Sequence, residues 1–221
     1  MNIHVLAASP CGLASGSQHP ISARVMMALV LLLGLMACLP LAHAQTPLSD
    51  IVQVAAGEGH TCGLTAGGGV KCWGANYRGQ LGDGTTTDRL VAVGVRGLSS
   101  GVSAITAGHS HTCALTTGGG VKCWGFNGLG ALGDGSTTNR WTPTDVIGLS
   151  SGVSTIVAGS SHTCALTIEG GVKCWGSNGL GQLGDGTASS RLAAVDVSGL
   201  SSGVSAIASG YAHTCALTVG G

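Results

Sequence analysis

Three residue types in this sequence carry chemistry, and each recurs at a fixed interval. Histidine stands two residues before cysteine at His60, His111, His162 and His213, and a second cysteine follows ten residues after the first at Cys72, Cys123 and Cys174. Such a set suggests either disulfides or a metal. A structural zinc site needs four ligands in a tetrahedron, commonly from close C-x-x-C pairs, and each repeat offers only three candidates at an awkward spacing. The histidines are expected instead to hydrogen-bond backbone groups where the strands begin. Aspartate recurs in "LGDG" as Asp83, Asp134 and Asp185. A calcium loop would need further oxygens at regular positions, but the next candidate changes from Asp88 to Asn139 to Ser190, so Asp-Gly reads as turn chemistry. Asp83 and Asp134 lie in different repeats and form no local carboxylate pair for acid-base work. Serine is abundant, yet none occupies a G-x-S-x-G elbow. The reading therefore assigns no catalytic residue, no cofactor site and no metal site.

The elements that position these residues follow from the repetition. "HTCALTTGGGVKCWG" at residues 111–125 returns as "HTCGLTAGGGVKCWG" at 60–74 and "HTCALTIEGGVKCWG" at 162–176, then begins again at His213. Cys62, Cys113, Cys164 and Cys215 stand 51 residues apart, close to the length of a four-stranded propeller blade. Short β-rich runs bounded by Gly and Ser supply the strands: "GVSAITAG" at 101–108, "HTCALT" at 111–116 and "GVKCWG" at 120–125. A weaker run closes each unit, "LVAVGV" at 90–95, "TPTDVIGL" at 142–149 and "LAAVDVSGL" at 192–200. Pairing Cys113 with Cys123 sets Leu115 opposite Val121 and leaves Thr117, Gly118 and Gly119 as a three-residue turn, where glycine suits the left-handed position. Alternation then places Cys113, Leu115, Val121 and Cys123 on one face and Ala114, Lys122 and Trp124 on the other. Bulk on both faces implies a sheet packed between two neighbours, with Lys122 lying along the apolar surface and its ammonium at the rim. Trp73, Trp124 and Trp175 recur in phase and are assigned to packing.

The stretch "HTCALTTGGGVKCWGFNGLGALGDG" at residues 111–135 resembles the repeat of the regulator of chromosome condensation family, and the resemblance runs from about Leu48 to Gly221. It implies an all-β, seven-bladed propeller of a type that mainly binds proteins. Seven units would need about 357 residues, whereas about three and a half follow Ala44. The expectation is thus an incomplete arc of four-stranded antiparallel blades over residues 45–221, cut within its fourth repeat. An arc that closes by oligomerising is the alternative.

Residues 1–44 differ in character. Arg24 precedes the apolar run "VMMALVLLLGLMACLPLA", which leads into "AHA" at 42–44, the pattern of a secretory signal. Gly34 and Pro40 interrupt the run, which falls short of the roughly 20 residues of a spanning helix. "LMAC" loosely resembles a bacterial lipoprotein box, which would lipidate Cys38. Either route leads out of the cytoplasm, to the periplasm, the cell surface or the medium of a bacterium. There, Cys62 with Cys72, Cys113 with Cys123 and Cys164 with Cys174 are expected as disulfides. Opposed non-hydrogen-bonded sites bring Cβ atoms close enough, and closing so short a loop contributes on the order of 2 to 3 kcal/mol. The 51-residue step places the partner of Cys215 beyond Gly221, and Cys11 and Cys38 belong to the leader.

Composition narrows the function. Only 8% of residues are charged, 9 Lys plus Arg against 9 Asp plus Glu, with no basic patch for phosphates, so nucleic acid is not an expected partner. Some aromatics occur in one copy only. Trp141 is replaced by Leu90 and Leu192, Phe126 by Ala75 and Ser177, Tyr77 by Gly128 and Gly179, and Tyr211 by His109 and Ser160. With Arg78, the four are the candidate partner-binding residues, because exposed aromatics and arginine dominate interface energetics. The expected function is an exported, non-catalytic scaffold that binds a protein or a surface glycan through variable blade loops. One alternative is nucleotide exchange on a small GTPase, as in the eukaryotic namesake, which the signal peptide and neutral charge oppose. The other is a propeller enzyme, which would need an inward ring of acids or ligands.

Overall fold

The computed structural model describes residues 48–220. The signal-sequence, Cys11 and Cys38 readings lie outside them.

Each of the first three repeats folds as four consecutive antiparallel strands. The first sheet comprises β1 (Ile51–Ala56), β2 (His60–Thr65), β3 (Val70–Gly74) and β4 (Arg89–Gly94). The second comprises β5 (Val102–Ala107), β6 (His111–Thr116), β7 (Val121–Gly125) and β8 (Arg140–Asp145). The third comprises β9 (Val153–Ala158), β10 (His162–Thr167), β11 (Val172–Gly176) and β12 (Arg191–Asp196), and a two-stranded sheet of β13 (Val204–Ser209) and β14 (Thr214–Thr218) follows. The first strands β1, β5, β9 and β13 approach one another in series, as blades around an axis do. No helix among the described residues is long and apolar enough to cross a membrane.

The central hairpin has the expected register. Cys113 faces Cys123, Leu115 faces Val121, and Thr116 N bonds Gly120 O at 2.8 Å across the turn. Gly119 takes φ 77°, the left-handed position that a side chain would strain. The pairs Cys62–Cys72, Cys113–Cys123 and Cys164–Cys174 are bonded, with Cα atoms 4.1 Å apart, the short spacing of a non-hydrogen-bonded pair. Cys215 is free and exposed.

Alternation sends the two faces of a blade to different neighbours. Cys62, Leu64, Val70 and Cys72 form one core layer with Ala114 and Trp124 of the next blade. Cys113, Leu115, Val121 and Cys123 form the following layer with Ala165 and Trp175. Trp124 and Trp175 are fully buried, whereas Trp73, in the first described blade, is half-buried. Lys122 reaches the rim, where its Nζ meets Asp145 Oδ1 at 2.6 Å.

The fourth strands need correction. They run over Arg89–Gly94, Arg140–Asp145 and Arg191–Asp196, one or two residues earlier at the start and one to four earlier at the end than the apolar runs suggest. The last apolar residues of each run instead turn into the core: Val146 N bonds Val121 O, Leu149 N bonds Val146 O, and both side chains are buried. A continuous apolar run thus contained a strand end and a buried turn.

Candidate binding face

Consecutive antiparallel strands place the first and third connections of every blade at one end and the second connection at the other. The second connections, residues 66–69, 117–120 and 168–171, are short and glycine-rich, reading AGGG, TGGG and IEGG, and vary only at their first two positions. The first and third connections carry most of the differences.

The third connection is built on a buried asparagine. Asn76 Nδ2 donates to Asp83 Oδ1, Thr85 O and Thr87 O at 3.0 to 3.2 Å, and its Oδ1 accepts from Leu81 N at 3.0 Å. Asn127 and Asn178 repeat the arrangement. Asp83 Oδ1 accepts from Thr85 N and Oγ1, and Oδ2 meets Arg89 Nη2 at 2.6 Å. Burial raises the Asp83 pKa, but the hydrogen bonds from Thr85 and Arg89 and the arginine charge outweigh it and hold the carboxyl below its ordinary value. Asp134 is likewise lowered, with Arg140 the largest of the opposing contributions. These carboxylates spend their oxygens on holding the loop, as the turn reading expects. Among the described residues no three His, Cys, Asp or Glu gather as a metal cluster.

The histidines are a correction. The rings of His60, His111 and His162 bond threonine hydroxyls rather than backbone groups, each across the seam to the next blade. His60 Nε2 lies 2.8 Å from Thr112 Oγ1, His111 Nε2 3.0 Å from Thr163 Oγ1, and His162 Nε2 3.0 Å from Thr214 Oγ1. Thr112 Oγ1 donates to Gln80 O at 2.9 Å, so it accepts from His60, which fixes the neutral ring with its proton on Nε2. Trp124 Nε1 donates to the same Gln80 O. Burial, then the nearby His109, lowers the His60 pKa to about 4; burial, then His60, His162 and His109, lowers that of His111 to about 3. These rings serve packing.

The single-copy residues fall mostly together. Arg78 Cζ lies 5.7 Å from the Tyr77 ring centre and 5.3 Å from that of Phe126, in the next blade. A Cβ on Gly79 would stand 2.5 Å from Trp141 Cδ1, so the Trp141 side chain lies against the chain beside Arg78. Tyr77 and Trp141 are about half exposed, Phe126 less so. Tyr77, Arg78, Phe126 and Trp141 thus form one patch where two blades meet.

The first connections join it. Tyr77 Oη lies 3.3 Å from Ser110 Oγ, Ser110 Oγ 2.9 Å from His109 Nδ1, and His109 Nε2 2.6 Å from Glu58 Oε2. Backbone bonds run from Glu58 N to His109 O, from His109 N to Ser160 O and from Ser160 N to Tyr211 O. Tyr211 therefore sits exposed in the same row, two repeats from the patch. Glu58 and Ser110 were not foreseen, although column 58, 109, 160, 211 holds a different residue in every copy. Thr112, Thr163 and Asn76 were missed for the opposite reason, being uniform and polar.

Repeated four-stranded blades with this seam define a β-propeller arc. Models of the regulator of chromosome condensation (RCC1) repeat match residues 51–80, 102–131 and 153–182, and residues 68–115, 119–166 and 169–217. The chain belongs to that repeat family. It is 35% identical over 174 residues to the ultraviolet-B receptor UVR8 of Arabidopsis thaliana, covering 77% of this chain and 40% of the receptor. It is 37% identical over 191 residues to the probable E3 ubiquitin-protein ligase HERC4 of Homo sapiens, covering 84% of this chain and 18% of the ligase. Its fold matches that of yeast RCC1 (Prp20), solved with Kap60 bound, at a TM-score of 0.68 and 24% identity, covering 77% of this chain and 42% of that one. The chain spans less than half the length of these relatives.

Proposed function

We propose that this chain is an exported, non-catalytic repeat scaffold that binds a protein partner through the blade end where its repeats differ. The observation that carries the reading is the gathering of Tyr77, Arg78, Phe126 and Trp141, none repeated in the other copies, into one exposed patch on an otherwise periodic frame. Loops held by a rigid scaffold are where binding function concentrates. In the family, yeast RCC1 has been seen with Kap60 bound, which supports a protein as the partner. Three disulfides favour an oxidising compartment, hence export. The non-catalytic reading draws on the titratable groups themselves: the recurring aspartates are bound to arginines, and His60, His111 and His162 are buried against threonines. Ser110, beside His109 and Glu58, is itself buried.

The test is capture of partners from the compartment's proteins by the intact oxidised chain, compared with a Phe126→Ser plus Trp141→Leu variant that takes the third repeat's residues. The reading requires loss of the captured proteins; equal capture rejects it.

A further inference from the structure

Arg78 differs from the arginines that begin the fourth strands. Arg89, Arg140 and Arg191 each bond an aspartate of their own loop at 2.6 Å, which occupies both the cations and Asp83, Asp134 and Asp185. Arg78 is exposed and has no carboxylate partner among the described residues. Its guanidinium contacts two aromatic rings instead. The Arg78 side chain makes no hydrogen bond among the described residues, so its N–H fork is open, and such a fork matches a carboxylate in bidentate fashion.

The support is in place before any ligand arrives. Arg78 N donates to Gln80 Oε1 at 2.9 Å, and the Tyr77 hydroxyl is tied to Ser110. Such preorganisation lowers the ordering cost of binding. The surroundings are apolar: Trp141 lies beside Gly79, and the positions equivalent to Arg78 in the next two loops hold the exposed Leu129 and Leu180. Aliphatic neighbours suit the side chains of a peptide better than the hydroxyls of a glycan, which would lose water without gaining partners.

Resting on the binding role proposed above, we infer that Tyr77, Arg78 and Phe126 form a carboxylate clamp for an acidic peptide segment of a protein partner, with an apolar residue of that segment against Trp141. The charge is complementary because Arg78, in contact with two rings, is a cation of the patch with no carboxylate partner among the described residues.

A random peptide display library panned on the intact, oxidised chain tests this. Enriched peptides should carry Asp or Glu beside an apolar residue. Arg78→Leu, which installs the residue of the other two loops, should weaken them at least about tenfold. Replacing the peptide's acid by its amide should do the same, with little further loss when both changes are combined. Enrichment of peptides without an acid, unchanged affinity in the Arg78→Leu chain, or no enrichment overturns the proposal. So does a uronic-acid oligosaccharide that binds through Arg78 where no peptide does. Peptides indifferent to Arg78→Leu but lost in the Phe126→Ser, Trp141→Leu variant reject the clamp alone. Peptides indifferent to both sets of changes reject the binding face as well.

Discussion

His111 Nε2 donates to Thr163 Oγ1, 3.0 Å away in the following blade, and the same hydroxyl donates to Ala131 O at 3.0 Å. One threonine thus ties the ring of its predecessor blade to that blade's own loop, and Trp175 Nε1 reaches the same carbonyl. All of these side chains are fully buried. Thr163→Val keeps the shape but leaves the His111 proton and the Ala131 carbonyl short of a partner, at a cost of about 1 to 3 kcal/mol in urea unfolding. Thr163→Ser should restore most of it.

The histidine seam predicts a pH dependence. His60, His111 and His162 have folded pKa values of about 4, 3 and 4 against an ordinary 6.5, with burial the first cause in each. Below about pH 6.5 the unfolded chain binds protons that the folded chain refuses, so stability falls as pH drops, levelling near pH 4 for His60 and His162 and near pH 3 for His111. The expected slope is on the order of 1 kcal/mol per pH unit for each histidine. The aspartates add their loss lower still, since Asp83 and Asp134 have pKa values depressed below 3.8. Urea midpoints across this range should decline in wild type and decline less steeply, by about a third, in a His111→Gln chain, where His60 and His162 still titrate.

The disulfides give a direct chemical prediction. Denatured without reductant, Cys62, Cys72, Cys113, Cys123, Cys164 and Cys174 should resist alkylation while Cys215 reacts. Replacing Cys113 and Cys123 together by alanine should cost about 2 to 3 kcal/mol. Seven reactive thiols in the repeats, the six paired cysteines together with Cys215, would refute the clips and weaken the case for export.

Much of this was legible because repetition performs an alignment within one chain. Once Cys113 is paired with Cys123, period-two geometry sets Leu115 opposite Val121 and splits it from Ala114, and the pairing and both consequences hold. The fourth strands were less legible: "TPTDVIGL" continues apolar through Val146 and Leu149, and hydrophobicity cannot distinguish a strand from a buried turn. The His–Thr seam was hidden because its partners lie 52 residues apart and meet only when blades stack. The patch was visible as single-copy residues, yet the contact of Arg78 with Phe126 depends on how one blade's loop reaches the next.

Turn chemistry separates two adjacent glycines. A Cβ on Gly119, at φ 77°, would lie 2.9 Å from Gly152 N, whereas one on Gly118 meets nothing nearer than Thr116 Oγ1 at 3.9 Å. Gly119→Ala should therefore destabilise by more than about 1 kcal/mol, and Gly118→Ala should be near neutral, both read by thermal unfolding.

The most direct measurement for the binding face is hydrogen–deuterium exchange on the intact oxidised chain with and without a captured protein partner. Protection concentrated in residues 57–59, 75–81, 108–110 and 126–132 is the predicted result. Protection confined to the opposite turns, 66–69, 117–120 and 168–171, would contradict it.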